Sequence, residues 1–254
     1  MPFMGRKLWY NEATEEIQGG AAHDLLYRRH ARFGELDRPF CKAQKLTERD
    51  TLVILGDVGV NYDRNGRDAQ SKTALASLPA TVFCIHGNHE CRPHHIPSYR
   101  LEDWNGGKVW REETYPNLLF ARDGDIYTLE GKNHLVLGGA YSVDKYYRLM
   151  RGYAWWPDEQ PDDDAKQRAQ AALDACGWKV DTVLSHTCPY KYEPREAFLP
   201  MIDQSSVDDS TERWLDAIED RLSYERWYCG HWHINKHIDK MHFLFEDVEA
   251  APAE

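Results

Sequence analysis

Residues 51–57 read Thr-Leu-Val-Ile-Leu-Gly-Asp, and residues 81–90 read Thr-Val-Phe-Cys-Ile-His-Gly-Asn-His-Glu. Each begins as a short apolar, β-rich run and stops abruptly at glycine and metal-capable polar residues. A run of this length bounded by turn residues predicts a strand buried on both faces. Similar runs occur at 134–137 (HLVL), 180–184 (VDTVL), 226–229 (RWYC) and 242–245 (HFLF). Between them, 164–176 (DAKQRAQAALDAC) is rich in helix formers. A second helix is predicted over 211–222 (TERWLDAIEDRL), with Ser210 as its cap and Arg213, Trp214 and Ile218 at helical spacing. Strands alternating with helices predict a layered α/β domain. Residues 141–163, rich in aromatics and turn formers, predict a long loop or insertion beside a site, with Trp155 and Trp156 as a packed lid.

The chemistry is concentrated where strands end. Gly56-Asp57, His86-Gly87-Asn88-His89-Glu90, His186 and Gly230-His231-Trp232-His233 each follow an apolar run directly. In open α/β sheets ligands bind beyond the carboxyl ends of the strands, so the four groups are expected in one cleft. A carboxylate, an amide oxygen and several imidazoles form a mixed nitrogen and oxygen donor set. It suits manganese, iron, zinc or nickel better than an all-oxygen calcium site. Taken singly, the Gly-Asp pair reads as a turn and His186 as a satisfied buried histidine; jointly the coincidence favours ligands. In an extended strand His231 and His233 share one face. Arg92 is a candidate for bidentate phosphate binding. His86, His94 and His95 read as neighbours of the site or surface residues, and His23, His134, His237 and His242 as structural.

Gly-Asp, Gly-Asn-His-Glu and Gly-His-Trp-His, in that order at strand ends with His186 between the last two, resemble the calcineurin-like metallophosphoesterases over roughly residues 25 to 247. The resemblance implies a layered β-sandwich of mixed sheets flanked by helices, with the metal site at the strand carboxyl ends. It implies a phosphoric ester hydrolase with two divalent metal ions, manganese foremost, about 3.5–4 Å apart and activating a hydroxide for in-line attack. Asp57 matches the bridging carboxylate, and Asn88, His186 and His231 complete the second metal site. His233 and His30 match ligands of the first. His89 matches the general acid that protonates the leaving oxygen, a role suited to an imidazole. Gly56-Asp57 continues as Val-Gly-Val-Asn-Tyr-Asp, not as the GDxxDRG string of the protein serine/threonine phosphatase branch. Nucleotides and small phosphate monoesters or diesters remain as substrates.

The pattern breaks at its start. The family opens with a strand ending in Asp-x-His, whereas here Leu-Leu-Tyr is followed by Arg28-Arg29-His30. A guanidinium cannot coordinate a cation, and its charge opposes one. A single-base slip, with a compensating slip near Ala31, would account for the mismatch. Codons exist for residues 23–30 (HDLLYRRH) that, read one base later and continued through Ala31 into Arg32, give Met-Ile-Phe-Tyr-Thr-Gly-Asp-Thr-His. Residues 1–22 are then an out-of-frame extension, and residues 23–254 form a single domain. The DNA over residues 23–31 tests this directly. A second reading from Arg28 is a pseudo-phosphoesterase that keeps one metal for binding or regulation.

Composition limits the partners. A formal net charge of −11 with no basic stripe excludes wrapping of duplex nucleic acid. The expected partner is a small phosphorylated substrate or nucleotide, reached where bound metals reverse the local field. No apolar segment approaches the roughly 20 residues of a membrane helix, and the N-terminus has no apolar signal core. Six cysteines without CxxC spacing predict a reduced, cytoplasmic protein.

Overall fold

Alternation decides which way each buried strand faces. The computed structural model describes residues 24–27, 46–200, 202–245 and 247–250. In β2 (Thr51–Ile54), Leu52 and Ile54 join one apolar cluster while Val53 and the following Leu55 join another. In β3 (Thr81–Cys84), Val82 and Cys84 go with the first, and Phe83 and Ile85 with the second. Both faces are apolar, so the runs appear continuous although side chains point to opposite sides on a period of two.

The second cluster is the space between two sheets. β1 (Asp24–Tyr27) lies parallel to β2, in the place where the family's opening strand was expected. The first sheet continues through β3, β6 (Leu118–Ala121), β5 (Gly107–Glu112) and β4 (Tyr99–Trp104), with β13 (Val248–Ala250) antiparallel to β1 at the other edge. The other sheet orders β11 (Lys236–Ile238), β12 (Met241–Phe243), β10 (Arg226–Cys229), β9 (Thr182–Ser185), β8 (Lys132–Leu137) and β7 (Ile126–Leu129). Val53, Phe83 and Leu119 meet Val136, Leu184 and Tyr228 between the sheets. Each such side chain contributes about 1.5–3 kcal/mol by leaving water. Helix α1 (Gly66–Ala76) covers the outer face of the first sheet through Leu75. Helices α3 (Asp163–Ala175) and α4 (Ser210–Glu219) cover the second through Ala169, Leu173, Leu215 and Ile218. The result is the expected layered sandwich of mixed sheets flanked by helices.

Three local expectations are revised. Residues 141–163 are not all loop: α2 (Lys145–Arg151) forms there and ends at Gly152, whose φ of 68° provides the left-handed stop. Ser210 is the first residue of α4 and not its cap; Asp209 precedes the helix, and its carboxylate pairs with Arg213 one turn on. β10 ends at Cys229, and His231 and His233 have φ of 65° and 54°, so the Gly-His-Trp-His segment is not an extended strand. No helix among the described residues is long and apolar enough to cross a membrane.

Candidate metal centre

β2 and β3 run parallel in one sheet, and β9 and β10 run parallel in the other, so residues just past their carboxyl ends gather at one rim of the sandwich. Two glycines allow the close approach. A Cβ on Gly56 (φ 94°) would sit 2.1 Å from His186 Nδ1, and one on Gly87 would sit 2.1 Å from Asp57 Oδ1. Asp57 itself has φ 54°, joining His231 and His233 in the left-handed region that non-glycine residues seldom occupy. Three such residues among the predicted ligands place backbone strain at the site.

The side chains converge. His186 Nε2 lies 2.8 Å from Asn88 Oδ1 and 3.6 Å from Asp57 Oδ2, and His231 Nδ1 lies 3.2 Å from the same Asn88 oxygen. His186 Nδ1 lies 2.7 Å from the Leu55 carbonyl. A carbonyl only accepts, so Nδ1 carries the proton and Nε2 of the neutral ring presents a lone pair. The Asn88 amide is oriented by Nδ2, which donates to Ser142 Oγ at 2.9 Å, leaving Oδ1 turned toward the two imidazoles. The His186 Nε2 lone pair, the Asn88 carbonyl oxygen and the Asp57 carboxylate thus face one another with His231 Nδ1 beside them, an arrangement that a cation stabilises. Neighbouring donors bound at about 2.1 Å stand about 3.0 Å apart in an octahedral set and about 3.4 Å apart in a tetrahedral one. The observed spacings bracket those values, so Asp57, Asn88, His186 and His231 fit a divalent metal.

A hydrogen-bonded layer that the sequence reading passed over supports this set. Ser142 Oγ accepts from Asn88 Nδ2 and, at 3.1 Å, from Arg148 Nη1, and donates to Glu159 Oε2. Glu159 also receives the Ser142 N–H at 3.0 Å and Trp155 Nε1–H at 2.7 Å. Burial raises its pKa from the usual carboxylate value. Trp156 is buried edge-on against Tyr62, so the tryptophan pair is packed into the fold. Gly138-Gly139-Ala140-Tyr141-Ser142 follows β8 as the other site segments follow their strands, but serine carries no ligand signal. On the opposite side, buried Glu90 accepts the Gly87 N–H at 2.6 Å and secures the turn that carries Asn88. Burial, then the Asp57 charge, pushes the Glu90 pKa up to about 8.

The remaining predicted residues divide. His89 donates its backbone N–H to Asp57 Oδ1 at 2.9 Å, and its Nε2 stands 3.8 Å from Asp144 Oδ1. His89 and His233 line the same cavity as Asp57, Asn88 and His231, a space of about 700 Å³. The His233 ring stacks on Phe245 at 4.8 Å. Arg92, expected to bind phosphate, is not brought to this cavity. Its guanidinium reaches Asp123 Oδ2 and the Asp158 and Gln160 carbonyls at 2.5, 2.7 and 3.2 Å, tying the loop before α3 to the end of β6. His30 and Arg28 lie outside the described residues. His237 and His242, read as structural, bond the two oxygens of Glu249 at 2.6 and 2.9 Å.

Comparison with known proteins bears on this arrangement. Among solved structures, a phosphopantetheinyl hydrolase from Mycobacterium tuberculosis matches at 16% identity and a TM-score of 0.41, covering 87% of this chain and 88% of its own. A protein of unknown function from Aquifex aeolicus matches at 15% identity and a TM-score of 0.34, covering 68% and 82% respectively. No curated protein matches. The family model described as calcineurin-like phosphoesterase matches residues 23–235, a span that holds every predicted ligand, and the chain belongs to that family.

Proposed function

We propose that this chain is a metal-dependent hydrolase of small phosphate monoesters or diesters, with two divalent ions, manganese foremost, at the rim of the sandwich. The observation that carries the reading is the meeting of His186 Nε2, whose lone pair is turned inward, with Asn88 Oδ1, Asp57 Oδ2 and His231 Nδ1. Asp57, Asn88, His186 and His231 would hold one ion, and Asp57, His233 and His30 the other. Bound there, such ions supply Lewis-acid activation of water and neutralise charge on the phosphoryl oxygens.

The protein's own groups then have defined tasks. His186 is fixed as the Nδ1–H tautomer by Leu55, so its lone pair is always presented. The Ser142 hydroxyl holds the Asn88 amide in its acceptor orientation. His89, on the cavity wall with Asp144 nearby, is placed to give a proton to the departing alkoxide. The reading locates the protein in the cytoplasm, where Cys84, Cys91, Cys176, Cys188 and Cys229 stay as the thiols they are here.

Arg28 motivates a second reading, a pseudo-phosphoesterase with a damaged first metal site that binds or regulates. Hydrolysis of p-nitrophenyl phosphate and bis-p-nitrophenyl phosphate with added manganese, compared between this chain and Arg28→Asp, separates the two. Activity in the chain as it stands supports the enzyme; activity only after the change indicates an enzyme damaged at its first metal site; metal binding with activity in neither supports the pseudo-enzyme. Failure of both chains to bind manganese would overturn the metal centre itself.

A further inference from the structure

The cavity beside the metal-fitting residues is much larger than a phosphoryl group needs; its volume of about 700 Å³ lies in the range that drug-sized ligands fill. The part away from Asp57 and Asn88 is built by the segment following β9 and by the Gly-His-Trp-His turn. Phe198, Leu199, Ile202, Val207, Trp232 and Ile234 form its apolar wall. Phe198 stacks on Trp232 with centroids 5.6 Å apart and planes 19° from parallel, and Leu199 is 57% exposed without a covering partner among the described residues. Leaving such surface uncovered is unfavourable, and an apolar ligand group would relieve it.

Charge narrows the occupant. Besides Asp57, the lining carries four carboxyl groups against one guanidinium, Arg195: Asp144, Asp209, which pairs with Arg213, and Glu193 and Glu212, whose pKa burial pushes up to about 7. A second phosphate, or the next nucleotide of a chain, would be set against these acids with one cation to offset them. A single phosphoryl group at the metal end meets no such opposition.

From this the geometry points to a substrate class, resting on the phosphoesterase reading above: esters with one phosphoryl group at the Asp57, Asn88 and His231 end and an uncharged apolar group, aromatic or branched, against Phe198 and Trp232. Polyphosphates and nucleic acid strands are disfavoured. Hydrolysis adds water across the P–O bond, the oxygen joining phosphorus and the proton going to the alcohol, which departs from the apolar wall.

Binding tests this whether or not the chain turns over. The manganese-loaded protein is titrated calorimetrically with methylphosphonate, 1-naphthylmethylphosphonate, 3-carboxypropylphosphonate and 1-naphthol. The naphthyl compound is expected to bind at least about tenfold more tightly than the methyl compound, and the carboxypropyl compound no better than the methyl one. Phe198→Ala with Ile202→Ala should erase the naphthyl advantage while leaving methylphosphonate affinity unchanged, the protein still folded and manganese-loaded at the assay temperature. Affinity independent of the tail, or strongest for the carboxylate tail, overturns the inference. Binding of 1-naphthol with no phosphonate bound overturns the phosphoesterase reading and upholds the apolar subsite. Binding of neither overturns both.

Discussion

Replacing Ser142 by alanine should loosen metal binding without touching a single ligand atom. The Ser142 hydroxyl is saturated: it accepts from Asn88 and Arg148 and donates to Glu159. Its removal leaves two buried donors without this acceptor. Each lost partner costs about 1–3 kcal/mol, but Arg148 keeps the Ala154 carbonyl at 2.8 Å and Glu159 keeps Trp155, so we expect about 2–4 kcal/mol in all. The specific effect is at Asn88. Once untethered, the amide can turn its NH2 toward the His186 Nε2 lone pair, 2.8 Å away, and make a hydrogen bond that competes with a cation for that lone pair. Loss of an orienting partner of this kind lowers metal affinity about 10–100-fold. Competition for manganese against a chelating dye measures the affinity, urea denaturation in EDTA measures the stability, and Ser142→Thr, which restores a hydroxyl, should recover most of both. A Ser142→Ala protein that is less stable yet binds manganese with unchanged affinity would refute the orienting role.

Three further outcomes are expected. Gly56→Ala drives a methyl into His186 at a left-handed position, so about 3–5 kcal/mol of stability and most manganese affinity should be lost together; intact metal binding would contradict the packing. Arg92→Ala strands the buried Asp123 carboxylate and should cost about 3 kcal/mol in urea unfolding while leaving the KM for a phosphate ester nearly unchanged. A large rise in KM at full stability would return Arg92 to the phosphate. His134, 3% exposed, has its pKa lowered to about 4, with burial as the main cause. In the unfolded chain the ring takes its proton near pH 6.5. Stability is therefore intact above about pH 6.5 and falls as pH drops toward 4, by about 3 kcal/mol at most; His134→Leu should flatten this limb of the urea-stability profile measured in EDTA.

Much of the central architecture can be read from the sequence because the buried parallel strands are short, apolar and sharply terminated. Runs 51–55, 81–85 and 226–229 coincide with β2, β3 and β10 to within a residue. The β4–β5 hairpin is harder to see because its strands alternate with charged residues at a sheet edge; the legible signal was Asn105-Gly106, whose φ angles of 47° and 90° make the tight turn. β13 pairs with a strand more than 200 residues earlier in the chain, a partnership that no local pattern announces. At the site, histidines, an aspartate and an asparagine advertise themselves by type, whereas Ser142, Arg148 and Glu159 are ordinary residues made important by where β8 ends. Arg92 misled for the opposite reason: a guanidinium near Gly-Asn-His-Glu suggests phosphate, and only the fold reveals Asp123 beneath it.

Asp57 and Asn88 hang from one layer of the sandwich, and His186 and His231 from the other. The greasy filling between the layers, packed from both sheets, resists their separation and their sliding alike. A cation gripped by side chains from both would act as a rivet at the rim where the cavity opens. Stripping such an ion should loosen that rim locally while the packed core keeps the two slabs in register.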